Sequence, residues 1–284
     1  MIEGTMSELR PTDGDQFEAV LQTQRDQNSW IGIVLTGAEI TLRKDLPQIA
    51  SRARDAGFKR IRVQTHGMQL QRREFLDRLA EAGVTEFFVS VTSSTAAKHD
   101  AITKVKGSWD RMRAGLDLIE TYYPGIAVIT NTVVTSESVA DLPGVVSALS
   151  EYKTIVQHEF WNFFPMDEID KKGLCVPLND LMGPLHDAIS AAHALGRLVE
   201  VKNVPECLMG DNRAVLINKQ PQLVIDEDFW VGFERNGFYT CPHRSICSST
   251  ECLGLTTAYV SRFGDEADKL RPISTAHPSL ITED

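Results

Sequence analysis

Residues 30–43 read WIGIVLTGAEITLR, an apolar run followed by small and polar residues. The apolar run, residues 30–35, has the length and composition of a buried strand. Gly37 and Ala38 follow it, and residues this small let a ligand approach the backbone closely. Because ligands of parallel α/β proteins bind at the carboxyl ends of the strands, this segment is the first candidate site.

Short apolar strands alternate with amphipathic helices through the first 165 residues. Four further strands are predicted at 60–64, 86–91, 126–134 and 155–164. Helices are predicted at 15–27, 46–56, 72–82, 109–122 and 141–152. This alternation predicts a parallel sheet with right-handed crossovers, either open or part of a barrel.

The alternation changes after Pro165. A helix at 178–195 and a short strand at 198–202 lead into an irregular stretch that holds four cysteines. We therefore divide the chain into a barrel portion (1–165), a connecting helix and strand (166–204), a cysteine-rich lobe (205–264) and a polar tail (265–284).

Composition argues against several classes of partner. The formal net charge of −10 over 284 residues opposes nucleic acid. No apolar run approaches the roughly 20 residues that cross a bilayer, and the first residues lack the features of a secretory signal. We therefore expect no nucleic-acid or membrane partner and a cytoplasmic location, where cysteines are more often metal-bound or free than disulfide-bonded.

The irregular stretch contains the strongest candidate metal ligands: Cys207, Cys241, Cys247 and Cys252. Zinc ribbons usually carry paired CxxC knuckles, which are absent here. The looser spacing suits a [4Fe–4S] cluster bound by four thiolates. Zinc, with His243 as a ligand or a neighbour of the ligands, and four unligated thiols are the alternatives. Cys175 stands apart and is expected to be a free thiol.

The segment after the first strand resembles the GGEP-T-L motif of the radical S-adenosylmethionine (radical SAM) superfamily, with Gly37, Ala38, Glu39 and Ile40 in its four places. In that family the backbone and the glutamate hold the amino group of S-adenosylmethionine (AdoMet). Later segments resemble further family motifs in the same order, and the likeness covers about residues 35–263. These segments are 63–67, 89–91, 99–103 with 107–109, 130–134 with 141–143, and 160–165.

The resemblance implies a fold, cofactors and site residues. The fold is α/β, a partial (β/α)6 TIM-like barrel that lacks the family's first strand, with a C-terminal lobe similar to auxiliary-cluster lobes of SPASM or twitch type. By resemblance Ser90 contacts the ribose of AdoMet, Asn131 the methionine carboxylate or ribose side, and the backbone near Asn162 the adenine. Ser90 and Asn131 could equally satisfy hydrogen bonds within the barrel.

The chemistry implied is hydrogen abstraction from an unidentified small-molecule or peptide substrate, with an electron donor such as flavodoxin or ferredoxin. The family binds the cluster that cleaves AdoMet through a CxxxCxxC loop, whereas no cysteine precedes Cys175 here. A second [4Fe–4S] cluster is therefore expected only if such a segment exists upstream, and we interpret the chain as starting downstream of the true start. The alternatives are a cluster-deficient AdoMet- or peptide-binding module and a zinc-organised structural protein.

Other polar residues near the strands have two interpretations. His66 and His99 are more typical of turns or helix caps than of catalysts. Either His158 or Glu159 should face the barrel interior, since neighbouring residues of a strand face opposite ways. There Glu159 could contact substrate, or form a salt bridge at the rim, and Gln64 is a further polar group available to a ligand.

Overall fold

The computed structural model describes residues 9–219 and 222–274. One sheet of six strands lies at the centre, in the order β1-β2-β3-β4-β5-β6, and every neighbouring pair is parallel. The strands are β1 (Gly32–Leu35), β2 (Arg60–Thr65), β3 (Glu86–Ser90), β4 (Ala127–Val134), β5 (Ile155–Asn162) and β6 (Leu198–Lys202).

Helices connect the strands and continue into the C-terminal lobe. Within the described residues they are α1 (Gly14–Gln27), α2 (Leu46–Asp55), α3 (Arg73–Glu81), α4 (Ala96–Thr103), α5 (Ser108–Tyr122), α6 (Leu142–Ala148), α7 (Leu178–Ala194), α8 (Asp228–Glu234) and α9 (Thr257–Phe263). Across residues 9–219 and 222–274, none of them combines the length and apolar character that a membrane span needs.

One face of the sheet packs against the helices and forms the core. Alternate residues of the strands, such as Val63 on β2, Phe87 on β3 and Val128 on β4, are fully buried there. A second group of buried side chains continues this core between α6, α7 and β6. The residues between them point to the opposite face, which the helices do not cover and which is the interior side of the barrel.

The predicted α/β class and parallel sheet are confirmed, and β2 to β5 begin and end within two residues of the predicted strands. The strand at Leu198–Lys202 pairs with β5 as the sixth strand, because its apolar residues Val199 and Val201 join the core beneath α7. Two helix predictions differ: the helix at 141–152 ends at Ala148, and α4 was missed because its apolar residues do not lie on one side.

The first strand is less buried than its apolar sequence predicts. Leu35 is buried, whereas Val34 is 43% exposed and the preceding Ile31 is 70% exposed. Val34 faces the side that the helices do not cover, where Arg62 is its partner on β2. In addition, β1 lies at the edge of the sheet and pairs only with β2 among the described residues.

The C-terminal lobe is joined to the barrel by aromatic and polar contacts. The ring of Phe164, just after β5, meets Phe233 of α8 and Phe238 with centroids 6.0 and 5.2 Å apart. The backbone N–H of Leu178, at the start of α7, donates to the Tyr259 hydroxyl of α9 at 2.9 Å. The division of the chain at residues 204 and 264 stays a prediction, and residues 275–284 of the predicted tail lie outside the described residues.

Candidate functional site

The segment after β1 and the turn after β2 meet through one carboxylate. Oε1 of Glu39 accepts hydrogen bonds from the Thr65 hydroxyl at 2.7 Å, the Thr41 backbone N–H at 3.1 Å and the Thr41 hydroxyl. Oε2 accepts from the backbone N–H of His66 and lies 2.9 Å from its Nε2. The carboxylate therefore ties two strand ends together.

Burial and hydrogen bonding have opposite effects on the pKa of Glu39. Burial of Glu39 would raise its pKa, but the hydrogen bonds from His66, Thr41 and Thr65 outweigh it and lower the pKa to about 2. The carboxylate is thus ionised at any ordinary pH. His66 donates from Nε2 to this carboxylate, while its buried Nδ1 has no hydrogen-bond partner.

Three predicted contact residues lie side by side on the interior face of the sheet, with Glu200 next to them. Ser90, Asn131, Glu159 and Glu200, here called the interior row, are successive partners across β3, β4, β5 and β6. Their side chains therefore leave the sheet in the same direction. The side-chain Nδ2 of Asn131 is buried and has no hydrogen-bond partner among residues 9–219 and 222–274. An unpaired buried donor is costly unless a ligand or water meets it, so this row is a candidate ligand contact.

Glu159 is the buried acid of this row, with 3% of its surface exposed. Its oxygens accept from Gln157 Nε2 at 2.9 Å and Trp161 Nε1 at 2.8 Å, and within the described parts of the chain neither oxygen pairs with a cation. Burial raises the pKa of Glu159, and the nearby charge of Glu200 raises it further.

His158, which precedes Glu159 on β5, is buried on the side of the sheet that faces the helices. There its Nε2 accepts from the guanidinium of Arg197 at 3.0 Å and its Nδ1 therefore donates to Thr130 Oγ1. Burial, and then the charge of Arg197, lower the pKa of His158 to about 3, so the ring is neutral. Of the two neighbours on β5, Glu159 is the one that faces the interior.

Two other predicted positions make local contacts. Asn162 lies at the end of β5 on the opposite face from Glu159, and its Nδ2 donates to the Asn203 carbonyl at 3.0 Å, which ties β5 to the residue after β6. His99 lies inside α4 rather than at a cap, and its Nδ1 is 3.0 Å from the Ser108 hydroxyl. Gln64 faces the interior beside Phe88, its partner on β3.

The motif at 99–109 has a structural role that explains its spacing. The carboxylate of Asp100 accepts hydrogen bonds from the backbone N–H groups of Gly107 and Trp109 and from the Ser108 hydroxyl. These donors form the first turn of α5, where backbone N–H groups have no partner within the helix. Asp100 therefore caps α5 and lies outside the candidate ligand contacts.

The four predicted metal ligands meet in the C-terminal lobe. Cys207, Cys241, Cys247 and Cys252 all line one cavity, together with Glu206, His243, Leu270, Arg271 and Ile273. All four are half-buried and none forms a disulfide. Residues more than forty positions apart in the chain are thus brought to one place.

Backbone N–H groups donate hydrogen bonds to two of the four sulfurs. Gly254 donates to Cys252 Sγ and Ile273 to Cys247 Sγ, each at 3.3 Å. Burial raises the pKa of Cys207, while the backbone N–H of Arg271 lowers it. Hydrogen bonds of this kind stabilise the negative charge of a thiolate, which is the form that binds iron or zinc.

Two metals remain candidates for the four thiols. A single zinc ion needs its ligands at one point, about 2.0–2.3 Å from the metal. Across the described ranges, no three His, Cys, Asp or Glu side chains converge in this way. The thiolates of a four-iron cluster would instead bind different irons around a shared space.

The cavity is connected to the carboxyl end of the sheet, next to the interior row. The backbone N–H of Asn203, directly after β6, donates to Asn218 Oδ1 at 2.8 Å, and Asn218 Nδ2 donates to the carbonyl of Glu251 at 2.7 Å. Glu251 precedes Cys252.

Cys175, in contrast to the four lobe cysteines, is 2% exposed, and burial followed by the charge of Asp170 raises its pKa to about 12.

Sequence reasoning missed the interior partners of Glu159 and the backbone donors to the sulfurs. Strand alternation could have placed Gln157, Trp161 and Glu200 beside Glu159, had β6 been assigned to the sheet. No sequence signal identifies the N–H donors, because every residue except proline has one.

Comparison with known proteins adds independent information. The sequence model of the Radical SAM superfamily matches residues 7–149. Fe-coproporphyrin III synthase of Methanosarcina barkeri is 31% identical over 121 residues, which cover 43% of this chain and 29% of that protein. Molybdenum cofactor biosynthesis protein moc-5 of Caenorhabditis elegans is 35% identical over 93 residues, covering 32% of this chain and 15% of that protein. The chain thus matches less than a third of either relative's length.

The fold also resembles a solved structure. Native anSMEcpe with bound AdoMet superposes with a TM-score of 0.53 at 16% identity, over 66% of this chain and 54% of that one. At this level of identity the likeness concerns the fold alone.

Proposed function

The chain belongs to the radical SAM superfamily, and we propose that it is the portion of a radical SAM enzyme that binds AdoMet at the mouth of the barrel and holds a [4Fe–4S] cluster in its C-terminal lobe. Membership of the family implies AdoMet and a [4Fe–4S] cluster as cofactors. Together they supply a 5′-deoxyadenosyl radical, which abstracts hydrogen from carbon.

The proposed AdoMet contacts lie after β1, at the end of β3 and on the neighbouring β4. A Cβ added at Gly37 would meet no atom within 4 Å, so a ligand can approach this backbone. Ser90 and Asn131 leave neighbouring strands in the same direction. The unpartnered Nδ2 of Asn131 supports a ligand here, since a bound acceptor would satisfy it. The proposed adenine contact, the backbone near Asn162, lies at the same edge of the sheet.

Glu39 has a different part in this proposal from the one its motif implies. Its two oxygens already accept five hydrogen bonds from Thr41, Thr65 and His66. It therefore shapes the loop that presents the backbone of Gly37 and Ala38, and any contact with the amino group of AdoMet is additional.

The observation that carries the C-terminal site is the convergence of Cys207, Cys241, Cys247 and Cys252 on one cavity. Four thiolates occupy every iron corner of a [4Fe–4S] cluster, so such a cluster would transfer electrons or fix the lobe rather than bind substrate. This supports an auxiliary lobe of SPASM or twitch type, attached beside the interior row through Asn218.

The substrate we propose is a small molecule or peptide with polar groups. Glu159, Glu200 and Lys202 offer charge on the interior face, and Phe88 lies 5.8 Å from Trp161, ring centroid to ring centroid. One of the two relatives is a synthase of Fe-coproporphyrin III and the other a molybdenum cofactor biosynthesis protein, which favours a small organic molecule. A flavodoxin or ferredoxin is the proposed electron donor.

Reductive cleavage of AdoMet also needs a cluster with one open iron, held by three thiolates. The four cysteines of the lobe and the buried Cys175 provide no CxxxCxxC set within residues 1–284. We therefore expect these residues by themselves to bind AdoMet without cleaving it, and a second [4Fe–4S] cluster would need a segment that supplies the motif.

Anaerobic reconstitution tests the C-terminal site. The purified chain should take up about four irons and four sulfides, the content of one [4Fe–4S] cluster, with the broad sulfur-to-iron absorption of such a cluster. Cys241→Ser should lose this iron, and Cys175→Ser is the matched control that should keep it. Stoichiometric zinc without iron, or equal iron in both variants, would overturn the proposal.

A further inference from the structure

We propose that residues 270–273 are part of the C-terminal metal site, as a strap that hydrogen-bonds to one of its thiolates and closes its cavity. The inference rests on the cluster proposed above. The strap contributes no metal ligand, so the cysteine pattern gives no indication of it.

The strap reaches one sulfur directly and lines the cavity of all four cysteines. The backbone N–H of Ile273 donates to Cys247 Sγ at 3.3 Å. Leu270 and Arg271 line the same cavity. Pro272, which precedes Ile273, has no N–H of its own, so the hydrogen bond to Cys247 depends on Ile273.

The strap is held at both ends. At one end, Leu270 is 1% exposed and packs into the core beneath the lobe. At the other end, the carbonyl of Ile273 accepts from both the backbone N–H and the hydroxyl of Ser248, at 2.8 and 2.6 Å. Ser248 directly follows Cys247, so this pair of hydrogen bonds fixes the strap next to the ligand it serves.

The chain leading to the strap is also fixed to the cysteine region. Nε2 of His243, two residues after Cys241, lies 3.1 Å from the carbonyl of Ala267. Because an imidazole N–H is the donor in such a contact, His243 is engaged as a hydrogen-bond partner of this segment. This gives His243 a structural role beside the metal site in place of the ligand role considered from sequence.

The strap should affect the metal site in two measurable ways. Hydrogen bonds to sulfur stabilise the additional negative charge of a reduced cluster, so they raise its reduction potential. Leu270, Arg271 and Ile273 also form one wall of the cavity, which limits the entry of water and chelators. Loss of the strap should therefore make the cluster harder to reduce and faster to extract.

A proline substitution isolates the hydrogen bond. Ile273→Pro removes the N–H that reaches Cys247, and Ile273→Ala is the matched control that keeps it. In the full reconstituted chain, we expect Ile273→Pro to shift the midpoint potential to a more negative value in an EPR-monitored redox titration. We also expect a several-fold faster loss of iron to a chelator, with Ile273→Ala close to the wild type in potential.

A second variant keeps the N–H of Ile273 that reaches Cys247 and weakens the attachment of the strap. Ser248→Ala removes one of the two hydrogen bonds to the Ile273 carbonyl and should also accelerate iron loss, with a smaller change in potential. If Ile273→Pro does not fold, the rate of iron loss from Ser248→Ala alone tests the proposal. Wild-type potential and extraction rate in the variants that fold would overturn the strap while leaving the cluster intact. Failure of the wild-type chain to take up iron would instead refute the proposed function.

Discussion

Oε2 of Glu39 lies 2.9 Å from Nε2 of His66, and this contact joins the segment after β1 to the turn after β2. Each partner comes from a different strand end, and together they define one side of the proposed AdoMet site. The contact also leaves His66 Nδ1 directed away from Glu39 and without a partner. The loop geometry at this edge of the sheet thus depends on a single buried ion.

Glu39→Gln should destabilise the fold by roughly 2–3 kcal/mol, since hydrogen bonds to a charged group are the strong ones and the amide accepts at only one atom. The free energy of unfolding from urea titration at neutral pH measures it. Glu137→Gln, an exposed carboxyl on the loop after β4, is the control and should stay within about 0.5 kcal/mol of the wild type. An equal effect of both substitutions would contradict this prediction.

The lowered pKa of Glu39 predicts that the folded chain loses stability in acid. The pKa of Glu39 is lowered from its ordinary value of 4.5 to about 2 in the folded chain, where hydrogen bonds from His66 and the two threonines outweigh burial. Its contribution is therefore complete above about pH 5 and is lost as the pH falls toward 2. Urea titrations across this range should show a smaller decrease for Glu39→Gln than for the wild type; parallel decreases would contradict it.

Arg197→Lys should cost about 2–4 kcal/mol of stability. Nη2 of this buried guanidinium donates to the carbonyls of Leu149, Ser150 and Tyr152, and Nη1 donates to His158. An ammonium group cannot make this set of contacts from one point. The control is Arg54→Lys, at an exposed arginine that also donates to a carbonyl. Comparable thermal midpoints for the two variants would show that the fork geometry is unimportant.

Asn131→Ala should separate ligand binding from folding. The buried Nδ2 has no protein partner, so its removal should leave the free energy of unfolding within about 1 kcal/mol of the wild type. AdoMet binding, measured by equilibrium dialysis, should weaken about tenfold, which corresponds to ~1.4 kcal/mol. A large loss of stability with unchanged binding would show that Asn131 is a structural residue of β4.

Cys175 should be the last thiol to react. Its sulfur is buried, and burial raises its pKa to about 12, so almost no thiolate is present at neutral pH. Alkylation of the metal-free chain followed by mass spectrometry should modify the four lobe cysteines first. Cys175 should react only when denaturant unfolds α7 and the segment before it. Early labelling of Cys175 would mean that the region opens in the native state.

The positions of most strands could be predicted because each carries apolar residues in a run or in alternation with polar ones, as Ile61 and Val63 do in β2 and Val199 and Val201 in β6. Burial was harder to predict than position. Val34 is as apolar as Val63, yet Val34 lies beside Arg62 on the face that the helices leave uncovered, whereas Val63 faces the helices. An apolar sequence indicates that a strand forms but not which of its residues are covered.

The partners of the candidate site residues depended on the tertiary structure. Motif position marked Glu39, whereas its donor Thr65 lies 26 residues later and belongs to another strand. The cysteines were recognisable by residue type, but the N–H groups of Arg271 and Ile273 were not. Side-chain chemistry can be read from sequence, and backbone groups become specific only after the chain has folded.

The order of the sheet also bears on how the protein is made. Every strand pairs with the one synthesised just before it, so the sheet can extend strand by strand as the chain leaves the ribosome. Arg10 forms its ion pair with Asp226, 216 residues later, and Cys207 meets residues 241–273. These contacts must wait until residues 226 and 241–273 have been synthesised. Assembly of the proposed metal site would thereby follow that of the sheet, and iron and sulfide would meet a chain whose six strands are already in place.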